Sequence, residues 1–84
     1  MSASASKQQI FEWLAAAFQE APGSVDESRS RESFANWDSM GNLMLIAEID
    51  EKLHVTFEGE ELMALTSVAD VLALLRAKGV AISG

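Results

Sequence analysis

Apolar residues recur at helical spacing in three stretches of this chain, and between those stretches the pattern lapses. Ile10, Leu14 and Phe18 stand four apart, with Phe11 and Trp13 widening the stripe, which predicts an amphipathic helix. It should begin near Ser6, because Ser6-Lys7-Gln8-Gln9 has the Ser-x-x-Gln spacing of a capping box, and Pro22-Gly23 should stop it. A second helix is expected from about Ser39 to Leu53, with Asp38 as its N-cap and Leu45, Ile46, Ile49 and Leu53 on the core face. Met40, Leu43, Met44 and Ala47 lie on another side, so this helix carries more apolar surface than one core face needs. The last helix follows the cap Ser67-x-x-Asp70, with Val68, Val71, Leu72 and Leu75 at i, i+3, i+4 and i+7. Arg76 and Lys78 complement its C-terminal dipole and Gly79 closes it.

The lapses are equally informative. Ala21 to Asn36 is rich in Ser, Asp, Glu and Arg, and its isolated Val25 and Phe34 are expected to pin a long loop onto the core. Trp37 is read as a packed anchor just before the second helix. Val55, Thr56 and Phe57 leave that helix, and Glu60 to Ala64 forms at most one short turn. No strand pattern emerges. The expected fold is all-α: three main helices and a short one, with a long first loop. Eighty-four residues make one domain with a modest core, expected over residues 6–80 with flexible ends at 1–5 and 81–84.

Composition narrows the function. There is no cysteine, hence no disulfide and no thiolate metal site. Met1 to Ser6 lacks the apolar region of a signal peptide and no stretch is long enough to span a membrane, so a cytoplasmic monomer is expected, without membrane insertion. The net charge of −7 argues against nucleic acid, whose backbone demands a basic surface. Glu48, Asp50, Glu51, Glu58, Glu60 and Glu61 crowd one span with Lys52 as their only basic neighbour. They are either a solvated face or an acidic docking surface for basic partners.

Candidate chemistry is sparse. His54, the only histidine, is expected at the far end of the second helix from Ser39; a helix of about 15 residues is roughly 20 Å long, so the two cannot share a proton. His54 reads as a helix-end or surface residue. No pair of carboxylates and no metal-binding spacing stands out, and the chain is not expected to be an enzyme. Ser39 is different. It falls on the first turn of a helix behind a carboxylate, where free backbone N–H groups and the helix dipole favour a phosphate, although a simple cap serine fits the same pattern. Of the methionines, Met63 is expected in the core and Met40 and Met44 at a partner surface.

The run Trp37-Asp38-Ser39-Met40-Gly41, then Leu43, Leu45-Ile46, Ile49-Asp50-Glu51 and Leu53, resembles the acyl carrier protein family. Its hallmark is Asp-Ser-Leu at the start of the second helix, and here Met40 takes the leucine position. The resemblance continues through Val55, Phe57, Glu60-Glu61 and Leu65-Thr66-Ser67-Val68, covering the last half of the chain well and the first helix by pattern only. It implies a four-helix carrier bundle whose Ser39 holds a covalent 4′-phosphopantetheine arm, transferred from coenzyme A by a magnesium-dependent phosphopantetheinyl transferase. The arm's thiol would carry acyl groups as thioesters, so the sulfur that this chain lacks would come from the cofactor. Asp38 would cap the helix and orient Ser39. Met40, Leu43, Met44 and Ala47, with Glu48, Asp50 and Glu51 nearby, would meet the enzymes that load and transfer the cargo.

Departures from the family pattern qualify the pathway. Members serving general fatty-acid synthesis carry acids soon after the motif, where this chain has Gly41 and Met44. This points to a specialised lipid, polyketide or related pathway, and acids restored at both positions should improve turnover by the general enzymes. Asp-Ser-Met-Gly also resembles the D-alanyl carriers, but Leu65-Thr66-Ser67-Val68 lacks their Trp- and Pro-bearing segment. Three alternatives remain open: an aminoacyl carrier of that type, a cofactor-free acidic helical adaptor, and a carrier-like fold that has lost modification.

Overall fold

The computed structural model describes residues 3–84. Its elements run β1 (Ser4–Ser6), α1 (Lys7–Ala17), a 3-10 turn (Arg31–Ser33), α2 (Ser39–Leu53), α3 (Gly59–Ala64), α4 (Val68–Ala77) and β2 (Ala81–Ser83). The helices and the long first loop follow the hydrophobic pattern. The all-α expectation does not hold, because β1 and β2 pair as a two-stranded parallel sheet in the register Ser4–Ala81, Ala5–Ile82 and Ser6–Ser83. Segments 1–5 and 81–84, expected as flexible ends, thus contain paired strand residues, while Met1 and Ser2 lie outside the described residues. Ser-Ala-Ser and Ala-Ile-Ser are too short to show alternation and contain one β-branched residue between them. Their pairing is a product of tertiary structure. Parallel strands need a long crossover, and here the whole helical body supplies it.

Helix ends follow local chemistry. Ser6 Oγ accepts from the Gln9 N–H at 3.1 Å while the Ser6 N–H donates to Gln9 Oε1 at 2.9 Å, completing the expected box. α1 stops at Ala17, well before Pro22. Gln19 turns left-handed (φ 57°), and the Glu20 N–H donates to the Ala15 carbonyl at 2.8 Å, a Schellman closure made without glycine. Pro22 only prevents the helix from resuming. α4 ends the same way at Gly79 (φ 91°), where the Val80 N–H donates to the Leu75 carbonyl at 3.0 Å. At its start Ser67 Oγ accepts from the Asp70 N–H at 3.2 Å, but the Asp70 carboxylate reaches one residue further back, to the Thr66 N–H at 2.8 Å and hydroxyl at 2.7 Å.

The core is one cluster. Ile10, Leu14 and Phe18 of the first segment meet Leu45 and Ile49 of α2 and Val68, Val71, Leu72 and Leu75 of α4, all fully buried. Burying each such side chain is worth about 1.5–3 kcal/mol against leaving it in water. Val25, Phe34 and Trp37 are buried as well, so the loop is anchored as its isolated apolar residues suggested. Backbone bonds from Arg31 N to Thr66 O (2.8 Å) and from Val68 N to Arg29 O (3.0 Å) tie it to the start of α4. Met63 corrects the reading that placed it in the core: it is 79% exposed. In the six-residue α3 only Leu62 turns inward, and Met63 lies about 100° further round the helix.

Candidate functional site

The start of α2 is built by the loop before it. Arg29 organises that loop: its guanidinium donates to Glu20 Oε1 (2.8 Å), the Ser24 carbonyl (3.1 Å), Ser33 Oγ (3.0 Å) and the Ser33 carbonyl (2.7 Å), and lies 3.9 Å over the Phe34 ring. Phe18, Phe34 and Trp37 then form an aromatic cluster with centroid separations of 5.2, 4.8 and 5.5 Å. Three side-chain bonds fix the last residues of the loop. Asn36 Nδ2 donates to the Phe18 carbonyl (3.1 Å), Arg31 Nε to the Trp37 carbonyl (3.1 Å), and the Trp37 indole N–H to Asn42 Oδ1 (2.9 Å).

Asp38 follows in extended conformation and caps α2, its Oδ1 accepting from the Gly41 N–H at 3.0 Å. Ser39 is the first helical residue and is exposed. Among the described residues the backbone N–H groups of Ser39 and Met40 have no acceptor, so the helix end stays open beside the hydroxyl. Asp38 thus caps α2 and Ser39 is its first residue, the positions expected for both.

The proposed partner residues lie along the solvent side of α2. Met40 is 66% exposed, Leu43 60% and Met44 49%, and Ala47 is exposed one turn further along. Large apolar side chains left in water on one helix face mark an interaction surface more often than chance. Ser39 and Leu43 share a face at i, i+4, which sets the hydroxyl at the stripe's leading edge. Glu48 is half-buried and pairs with Lys52 at 3.4 Å, while Glu51, 3.8 Å from the same ammonium, and Asp50 are exposed. Glu61, of α3, is held by Lys78 at 2.9 Å. Glu48 and Glu51 are thus partly neutralised by Lys52, and Glu61 by Lys78.

Gly41 has a reason that sequence reading missed. A Cβ there would sit 2.0 Å from the Asn36 carbonyl oxygen and 3.2 Å from Phe18 Cδ1. The loop crosses the first turn of α2 at backbone contact, and only glycine permits it. Gly41 is therefore not a missing acid: an aspartate there would meet the Asn36 carbonyl, and of the two positions only Met44 has room for an acid. The Trp37–Asn42 bond was missed too. Its signal was available: a buried tryptophan needs an acceptor for its N–H, and Asn42 stands within reach one helical turn into α2.

His54 ends α2 in left-handed conformation (φ 55°), its N–H bonded to the Asp50 carbonyl at 2.9 Å. It lines a cleft of about 750 Å³ with Lys52, Val55 and Lys78, a full helix length from Ser39. Among the described residues no three His, Asp or Glu side chains converge to hold a metal ion, and no helix is long and apolar enough to cross a membrane. No family model, curated protein or solved structure matches the chain.

Proposed function

We propose that this chain is a discrete acyl carrier protein serving a specialised lipid, polyketide or related pathway, with a 4′-phosphopantetheine arm on Ser39. The observation that carries the reading is a juxtaposition. An exposed serine hydroxyl stands at the open, Asp38-capped end of α2, directly ahead of a stripe of exposed Met40, Leu43 and Met44 that the core does not use. The likeness of Trp37-Asp38-Ser39-Met40 and the residues after it to the carrier family gives that juxtaposition its meaning.

The site's own residues suit the group. A phosphodiester on Ser39 Oγ would lie beside the free N–H groups of Ser39 and Met40, where the helix dipole favours negative charge. Asp38 is committed to Gly41 and keeps the turn in shape. When bound, the arm supplies the thiol on which acyl groups travel as thioesters. The stripe would bind the transferase and the loading and transferring enzymes, with Asp50 and Glu51 setting encounter rate and partner choice more than affinity.

The test is to incubate the full chain with a broad-specificity phosphopantetheinyl transferase, magnesium and coenzyme A, then record its mass. The gain of one phosphopantetheine is expected, and Ser39→Ala should abolish it. An unchanged mass for the wild type, or a gain that survives Ser39→Ala, refutes the reading. A cofactor-free adaptor rests on the same stripe. It would keep its binding in Ser39→Ala and lose it in Met44→Glu.

A further inference from the structure

We infer that Asn42 is a positioning residue for Ser39, acting through an indole clamp on the first turn of α2. The inference rests on the carrier reading and deepens it. Trp37 and Asn42 bracket Asp38, Ser39, Met40 and Gly41, and the bond from the Trp37 indole N–H to Asn42 Oδ1 (2.9 Å) closes that segment into a ring. Neither Ser39 nor Met40 touches the core to hold it, since both are exposed. The turn is therefore fixed through its neighbours: the Asp38 cap, the Asn42 N–H bond to the Asp38 carbonyl at 2.8 Å, the backbone crossing at Gly41, and the clamp that joins its two ends.

The clamp is itself anchored. Trp37 stacks on Phe18 at 4.8 Å with its carbonyl held by Arg31 at 3.1 Å, so the indole belongs to the rigid aromatic cluster. Asn42 carries that rigidity across to the helix. The backbone position of Ser39 is thus tied to a tryptophan in the core. In the transfer the Ser39 Oγ–P bond would form as the pyrophosphate P–O bond of coenzyme A breaks, with adenosine 3′,5′-bisphosphate leaving and the hydroxyl proton passing to a base of the transferase. This needs the reacting atoms about 3–3.5 Å apart and aligned, and a misplacement of about 1 Å can cost ~100-fold in rate. Met40, Leu43 and Met44 have no part in the clamp. Docking and alignment are therefore carried by different side chains, and kinetics can separate them.

The experiment measures transfer from coenzyme A to the full chain by a broad-specificity phosphopantetheinyl transferase, with kcat and KM for the carrier determined separately. Each variant is assayed well below its own unfolding temperature. Asn42→Leu, which removes the acceptor, should lower kcat by about tenfold or more with KM nearly unchanged. Asn42→Asp keeps an oxygen for the indole and should restore most of kcat. Trp37→Phe removes the donor while leaving a ring in the cluster, and should lower kcat by a similar factor; it also serves if Asn42→Leu does not fold. An unchanged kcat in Asn42→Leu and Trp37→Phe, a change confined to KM, or failure of Asn42→Asp to rescue overturns the inference while the carrier reading stands. A wild type that accepts no group at Ser39 fails the carrier reading itself, and the positioning role falls with it.

Discussion

Gly41→Ala sets two opposed effects against each other at one atom. Inside a helix, replacing glycine by alanine is ordinarily worth about 0.5–1 kcal/mol of added stability, because the unfolded chain loses freedom. At position 41 the new methyl carbon would stand 2.0 Å from the Asn36 carbonyl oxygen, where side-chain carbons essentially never approach within 3.0 Å. The oxygen belongs to backbone and cannot swing aside. Asn36 is held through its side chain to the Phe18 carbonyl and is followed by the buried Trp37, so relief requires the loop to lift from α2. Overpacking of this kind costs about 1–3 kcal/mol and occasionally more, which outweighs the propensity gain. The expected net loss of about 1–2 kcal/mol should lower Tm by roughly 5–15 °C in a domain of this size. Gly59→Ala is the internal control. It also lies in a helix, a Cβ there meets nothing within 4 Å, and its Tm should hold or rise by a few degrees. Thermal unfolding followed by circular dichroism measures both. A Gly41→Ala protein as stable as Gly59→Ala would refute the close crossing and return Gly41 to the surface reading.

Acid should unfold the chain partly through Asp70. The Thr66 N–H, and then its hydroxyl, hold that carboxyl below its ordinary value of 3.8. A depressed folded-state pKa stabilises above the unfolded value and is lost as pH falls through the folded one. The stability gap between wild type and Asp70→Asn should therefore be full near neutrality and shrink below about pH 4 in urea titrations; a gap independent of pH rejects the assignment. Truncation after Val80 removes β2, including the Ala81 N–H bond to the Ala3 carbonyl at 3.0 Å, and uncovers Ala5. A loss of about 1–3 kcal/mol is expected from a few backbone bonds and a little apolar area, and an unchanged urea midpoint would mean that the strand pair contributes nothing.

The helices were legible because each carries its own signal: a four-residue apolar period, a cap at Ser6, Asp38 or Ser67, and a closing glycine at Gly79. Features set by distant partners were not. β1 and β2 stand at opposite ends of the described chain, and nothing in Ser-Ala-Ser shows that Ala-Ile-Ser will lie beside it. The end of α1 was placed late because Gln19 adopts a left-handed turn for which sequence favours glycine or asparagine. Met63 was misjudged because a short helix following a loop gives no reliable phase. At the site, Asp38 and Ser39 were visible as a cap and the residue after it, while the Trp37–Asn42 bond and the Gly41 crossing depend on where the loop lies.

Gly41 and Met44 are both non-acidic where the resemblance to general carriers leads one to expect acids, and the fold separates them. Gly41 is buried under Asn36, and any side chain there conflicts with the backbone whatever the partner, so it carries no information about docking. Met44 is half exposed on the free side of α2, with no packing duty that demands a thioether. A residue free to vary is one whose identity can be attributed to a partner. On the proposed carrier reading, the case for a dedicated pathway therefore narrows to Met44 and its neighbours Met40 and Leu43. Their polarizable, flexible surface adapts to an apolar recess on a partner more readily than to the basic patch that acids at these positions would meet.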